Sequence, residues 1–216
     1  SLVIVDEVYE KAVAALENAG GTMLSPEETQ NLQNALWTQG RLNQDLIAKS
    51  APEIARATGL QRPEINKLKM LMVEETGTGR EYPFSGEKLC PVLTVYRAAN
   101  FEDACQQVEE IYDFQGKGHS VGLHSQDESR PLKMGMNLPA CRVIVNQAHC
   151  FATGGSFDNG LPFSLSMGCG SWGNNSISEN LNYRHYLNIV RIVHPIPPAE
   201  PSVEEIFGDY WAKHGR

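Results

Sequence analysis

The chain has 216 residues, 41% of them apolar and 20% charged, with a formal net charge of -8. That is enough mass for one sizeable core or two small ones, and the composition is that of an ordinary globular chain. The acidic balance, with no Lys/Arg cluster, excludes non-specific binding to nucleic acid or an anionic membrane, and no run of about 18 apolar residues offers a transmembrane helix.

In chain order, Ser1–Val5 reads as a short buried strand. Asp6 is placed to cap a helix carrying Val8, Ala12, Ala15 and Leu16, and Gly20-Gly21 stops it. With no initiating Met and no signal peptide, a chain whose first residues already form a strand reads as starting mid-fold. Thr22–Leu24 is a brief extended piece. Ser25-Pro26-Glu27-Glu28 is a capping box, and the helix behind it carries Leu32, Leu36 and Trp37 and ends at Gly40. Ser50-Ala51-Pro52-Glu53 repeats the device for a short helix closed by Gly59.

Lys69–Val73 reads as a strand, Glu74–Ser85 as a loop, and Val92–Tyr96 as the next strand. Asn100 caps a helix to about Phe114, with Glu102 and Asp103 in its first turn. His119–His124 is a strand, Ser129–Asn137 a helix and Cys141–Val145 a strand. Strands alternating with helices from 92 to 145 predict one parallel sheet with crossover helices. Leu187–Val193 is strand-like, Pro195, Pro197, Pro198 and Pro201 form a stiff connector, and Ser202 caps a last helix bearing Ile206, Phe207, Tyr210 and Trp211. That terminal piece is expected to dock either onto another subunit or onto its own core.

The segment after Val145 is the organising feature. Between His149 and Glu179 its only charged side chain is Asp158, and Gly168, Gly170 and Gly173 would let backbone pass close to something bulky. A structureless stretch of this length either packs on itself as an Ω-type loop or carries a site.

The cysteines are Cys90, Cys105, Cys141, Cys150 and Cys169. An odd number with no C-x-x-C pair suits free thiols in a reducing compartment, so the expected location is cytoplasmic and no metal site is expected. Cys90, Cys105 and Cys141 read as packed thiols. Cys150, beside His149, and Cys169 remain candidates for a reactive thiol. His119, His124, His185, His194 and His214 read as packed or solvent-facing. Gly77-x-Gly79 lacks the following helix that a phosphate loop needs. Glu87, at the mouth of a strand, could accept a bond from a ribose hydroxyl.

Glu87-Lys88-Leu89-Cys90-Pro91-Val92 resembles the Glu-x-Phe-Gly-Pro strand entry of the aldehyde dehydrogenase superfamily, with Leu89 in place of Phe and Cys90 in place of Gly. FEDACQQVEEI, GHSVGLHS and CRVIVNQ follow the family order, and the run from Leu165 to Ser176 resembles the CoA-acylating branch, especially the aldehyde half of bifunctional aldehyde–alcohol dehydrogenases and the sulfoacetaldehyde dehydrogenases. The resemblance covers Ser1 to about Val193. It implies a three-layer αβα fold with a largely parallel sheet over residues 1–182, and an oligomerisation strand and helix over 183–216. It also implies NAD or NADP as cofactor, CoA as co-substrate, a small aldehyde of the acetaldehyde or sulfoacetaldehyde type, and a homo-oligomer. The nucleophilic Cys would lie just upstream of Ser1, and the Rossmann-like domain would be elsewhere in the same polypeptide, so no catalytic residue is expected in this chain and the fragment alone would be inactive. Glu87 would hold the nicotinamide-side ribose and Leu89 would lie against the nicotinamide. His149, Phe151 and Cys169 would be the pocket residues of the 146–172 loop. The competing readings are a non-acylating aldehyde dehydrogenase, a non-catalytic oligomerisation module of the same fold, and a standalone thiol enzyme using Cys150 or Cys169.

Overall fold

The computed structural model describes all 216 residues, which divide into two compact units, Ser1–Asn182 and Tyr183–Arg216.

The first unit is built on a four-stranded parallel sheet of order β1-β6-β5-β2. Its strands are β1 (Leu2–Val5), β2 (Gly21–Met23), β5 (Met70–Glu74) and β6 (Val92–Ala98). Alternation along β5 sends Leu71 and Val73 to one face and Met72 to the other. On the first face they meet Leu32 and Leu36 of α2 (Pro26–Leu36) and Ile54 and Ala55 of α3 (Ala51–Ala57). On the second face Met72 and Val95 meet Ile4, Tyr9 and the apolar stripe of α1 (Tyr9–Asn18). Helices thus cover both sides of the sheet, giving a mixed α/β fold with a mainly parallel sheet.

The capping boxes form as expected. Glu28 N donates to Ser25 Oγ at 3.3 Å while Ser25 N donates to Glu28 at 2.8 Å, and at the next helix Ser50 N and Oγ both donate to the Glu53 carboxylate, at 2.8 and 2.6 Å. Asp6 does not cap α1. Its carboxylate pairs instead with Arg97 on β6, which also donates to Glu10 at 2.9 Å. The helix after Ser25 ends at Leu36 rather than Gly40. Trp37–Thr38 (β3) and Arg41–Leu42 (β4) form a hairpin in which Gln39 and Gly40 have φ of 53° and 74°. Two positive-φ residues between paired strands are what a two-residue hairpin turn demands.

The segment 92–145 does not make one sheet. The side of β6 away from β5 is taken by β1, in register Leu2↔Val95. The strands β7 (Val121–Leu123) and β8 (Val143–Val145) pair only with each other, in parallel. Between β6 and β7 lies α4 (Phe101–Phe114), and between β7 and β8 lies α5 (Ser129–Asn137). One small core joins α4, α5 and the β7–β8 pair through Phe101, Val108, Tyr112, Val121, Met134 and Leu138.

In the second unit, Tyr183–Tyr186 is a single turn, and Ser202 and Glu205 box the N-terminus of the terminal helix Val203–His214. Phe207 and Trp211 stack at 5.7 Å on that helix. Leu187–Val193 is not a strand here. No neighbouring strand supplies the hydrogen bonds that define one, and Val190, Ile192 and Val193 are exposed.

Candidate functional site

The mouth of β6 is a turn tied down from inside. Lys88 is 6% exposed, and its ammonium donates to Phe84 O at 2.6 Å, Gly86 O at 2.8 Å and Thr94 Oγ1 at 3.0 Å. Thr94, fully buried on β6, donates in turn to Phe84 O at 2.6 Å. All three ammonium donors are therefore spent on the turn. Burial pushes the Lys88 pKa down to about 8, against the smaller opposing effects of Cys90 and Glu87. Nothing in the sequence flags this residue, because lysine is almost never fully buried without partners.

Either side of Lys88 the chain faces outward. Glu87 is exposed, its amide donating to Gln115 Oε1 at 2.8 Å and its carboxylate making no bond within the protein. Leu89 is 52% exposed at φ 50°, a left-handed conformation that is uncommon for a branched side chain. Its carbonyl accepts from Ala48 N at 2.9 Å. The buried lysine and the Ala48 bond hold Leu89 in this geometry from both sides. Glu87 also lines a cavity of about 1070 Å³ together with Trp37, Arg41, Arg80, Phe114 and Gln115.

The remaining candidates lie elsewhere. His149 opens α6 (His149–Ala152) and packs against Gly122. Its Nε2 is buried with no hydrogen-bond partner, and burial, then His119, lower its pKa. The His119 ring contacts Ser120 Oγ at 2.6 Å and is likewise lowered, by burial and then by Arg142. Both imidazoles are thus biased toward the neutral form, able to donate and accept hydrogen bonds. Phe151 is 79% exposed, and Cys169 is half-buried with its amide donating to Asn175 Oδ1 at 2.8 Å. None of His149, Phe151 and Cys169 lines the Glu87 cavity. Burial raises the pKa of Cys90, Cys105 and Cys141, as expected of packed thiols rather than nucleophiles, while Cys150 is exposed.

The Gly-rich segment is held by a buried pair that the sequence does not advertise. Arg142, 5% exposed, donates from Nε to Asn180 Oδ1 at 2.8 Å and from Nη1 to Gly168 O at 3.0 Å and His119 O at 3.1 Å. Asn180, 1% exposed, donates to Thr153 O and Pro162 O, each at 2.9 Å. The two side chains thus bind both ends and the middle of the loop. The glycines serve the same closure. A Cβ on Gly168 would meet Ile177 O at 2.2 Å, so the bulk that passes close is the loop's own backbone. Gly118, at φ 87°, lies where a Cβ would meet Cys169 O at 2.1 Å. Gly118→Ala is therefore expected to cost about 2–4 kcal/mol, combining steric overlap with a disfavoured φ, and a chemical denaturation curve would measure it.

No protein-family model matches the chain. It is 52% identical over all 216 residues to an acylating sulfoacetaldehyde dehydrogenase of Cupriavidus necator, of which it covers 44%. It is 38% identical over 210 residues to an acetylating succinate-semialdehyde dehydrogenase of Clostridium kluyveri, spanning 96% of this chain and 46% of that protein. Among solved structures, an acetylating aldehyde dehydrogenase from Geobacillus thermoglucosidasius superimposes with a TM-score of 0.85 at 33% identity, over 93% of this chain and 44% of its own. The chain thus spans less than half the length of the relatives it matches. Its homologues are acylating aldehyde dehydrogenases, and it corresponds to a part of them.

Proposed function

We propose that this chain is the thiol-side catalytic part of an NAD(P)-dependent, CoA-acylating aldehyde dehydrogenase that converts a small aldehyde of the acetaldehyde or sulfoacetaldehyde type to its acyl-CoA. The observation that carries this is the 52% identity, over every residue of the chain, to an acylating sulfoacetaldehyde dehydrogenase. The turn at Glu87 is compatible with a dinucleotide: a free carboxylate and an outward-facing apolar side chain stand at the mouth of a strand, beside a cavity. A bound nicotinamide would supply the hydride acceptor for the aldehyde oxidation. This chain's own residues would position it, with the Glu87 carboxylate accepting from a ribose hydroxyl and Leu89 covering the ring. The 146–172 loop, with His149, Phe151 and Cys169, would border the aldehyde. The nucleophilic thiol and the Rossmann-like domain belong to the remainder of the longer polypeptide. Residues 183–216 would serve subunit association in a cytoplasmic homo-oligomer.

The test is aldehyde-dependent reduction of NAD and NADP by the full-length polypeptide, with and without CoA, on acetaldehyde and sulfoacetaldehyde. Turnover that requires CoA is the expected result, and the better aldehyde identifies the substrate. Turnover to the free acid without CoA would move the protein to the non-acylating branch. Removing a hydrogen bond to a charged group is worth ~1.5–3 kcal/mol, so Glu87→Gln should lower kcat/KM for the dinucleotide by about 10- to 100-fold. An unchanged value would remove Glu87 from the cofactor contact.

A further inference from the structure

His119, the turn bearing His149 and Phe151, and Cys169 lie on separate stretches of the chain, and one buried pair anchors them all. Arg142 donates to the carbonyl of His119 itself and to that of Gly168, the neighbour of Cys169. At 3.4 Å it also reaches Ser178 O on the returning arm of the loop. The two arms are laddered together, Gly168 N to Glu179 O and Gly170 N to Ile177 O, each at 2.9 Å. Asn180 relays the hold to α6. Its Oδ1 accepts from Arg142 Nε, and both amide hydrogens are spent on the loop, at Thr153 O, which ends the α6 turn, and at Pro162 O beyond it.

The pocket candidates have little else to place their side chains. His149 Nε2 makes no bond and Phe151 is exposed, so their positions come from the backbone that carries them. A guanidinium fork fixes direction as well as distance, and in the interior each lost partner leaves an acceptor unpaired. The Cys169 arm has no slack inward. A Cβ on Gly118 would meet Cys169 O, and one on Gly173 would meet Cys169 Cβ at 2.3 Å, so a loosened arm can relax only outward. Outward relaxation widens the space that the loop borders. Groups at a site must be held to within about 0.5 Å, and a misplacement of about 1 Å can cost about 100-fold in rate.

We propose that Arg142 and Asn180 are positioning residues of the aldehyde pocket, and that their clasp keeps it narrow enough to prefer acetaldehyde or sulfoacetaldehyde over a longer aldehyde. This deepens the proposed function and rests on it for the ligand.

The experiment uses the full-length enzyme with Asn180→Asp and Arg142→Lys. The aspartate still accepts from Arg142 Nε but donates nothing to Thr153 O or Pro162 O, and the lysine keeps the charge without the fork. The kcat and KM are measured for acetaldehyde, sulfoacetaldehyde and butyraldehyde, with KM for the dinucleotide, below the lowest thermal midpoint of the three proteins. Each variant should lower kcat/KM for the better small aldehyde by about 10- to 100-fold, mostly through KM, while butyraldehyde changes by less than about threefold. The KM of the dinucleotide should stay within about twofold. An equal fall for all three aldehydes, which loss of folded protein would give, overturns the proposal, as do values all within twofold of wild type. Thiol labelling separates the claim from the functional reading. Iodoacetamide alkylation, read peptide by peptide on the folded proteins, compares half-buried Cys169 with exposed Cys150 as the reference. A Cys169 rate at least about fivefold higher in both variants, with Cys150 unchanged, supports the clasp even if the wild type turns over no aldehyde. An unchanged Cys169 rate refutes it.

Discussion

Replacing Arg142 with methionine is expected to destabilise the fold by about 3–5 kcal/mol, a large share of the ~5–15 kcal/mol that holds a typical domain together. Methionine approximates the volume but donates nothing. Asn180 Oδ1, Gly168 O and His119 O would then be left in the interior without the charged donor that now serves them. Each orphaned buried acceptor costs roughly 1–3 kcal/mol. Asn180→Leu should be of similar severity for a different reason. It strips one ligand from a buried guanidinium and leaves Thr153 O and Pro162 O unpaired. Because the two residues share one network, the double variant should cost less than the sum of the singles, with a coupling of about 1–3 kcal/mol. Urea unfolding measures the totals, and amide exchange at Gly168 and Gly170 reports whether the loop itself opens first, since both donate across it to Glu179 O and Ile177 O. A change under 1 kcal/mol for Arg142→Met would mean that solvent can replace the guanidinium, and the loop would not depend on it.

The second large effect is a pH dependence. Lys88 has a folded pKa near 8 against an ordinary value of 10.5. Between those values the unfolded chain binds the proton and the folded chain has released it, so stability rises with pH across this window. The gain is absent below pH 8 and complete above 10.5, and it is worth about 3 kcal/mol for a shift of this size. Tyr9 and Tyr112 act in the opposite direction at higher pH. Burial raises both to about 12, so the stability they contribute is lost as pH climbs from about 10 through 12. The stability curve should therefore climb above pH 8 and turn over above about 10. In Lys88→Met the climb should vanish while the turnover remains. Denaturation midpoints collected from pH 7 to 11 on both proteins test this, and a parallel pair of curves would show that Lys88 does not titrate in the window.

Much of the local structure could be read directly. The Ser25 and Ser50 boxes and the Asn100 cap form because each is a bond between residues three apart, closed by the helix it starts. The strand at 69–73 and the helix from 100 to 114 follow from short-range patterning. Glu87 was singled out by its place at the mouth of a strand and Leu89 by the resemblance in that short stretch, and the structure leaves both outward-facing. What could not be read was every feature closed over distance. The hairpin at Trp37–Leu42 defeated a helical reading because Trp37 keeps helical spacing, while the conformations of Gln39 and Gly40 are set by strand pairing. The β7–β8 pair is separate because β1, from the far end of the sequence, already occupies the side of β6. The loop glycines were marked as points of close approach, but only the folded chain shows that the approaching groups are Ile177 at Gly168, Cys169 at Gly173 and the Cys141 thiol at Gly170. The burial of Lys88, the Arg142–Asn180 clasp and the meeting of Arg41 with Arg80 depend on tertiary contacts. Helix caps and strand alternation depend on neighbours along the chain, so sequence alone determined them. Burial and long-range partners depend on which surfaces the fold brings together, and no window of sequence contains that information.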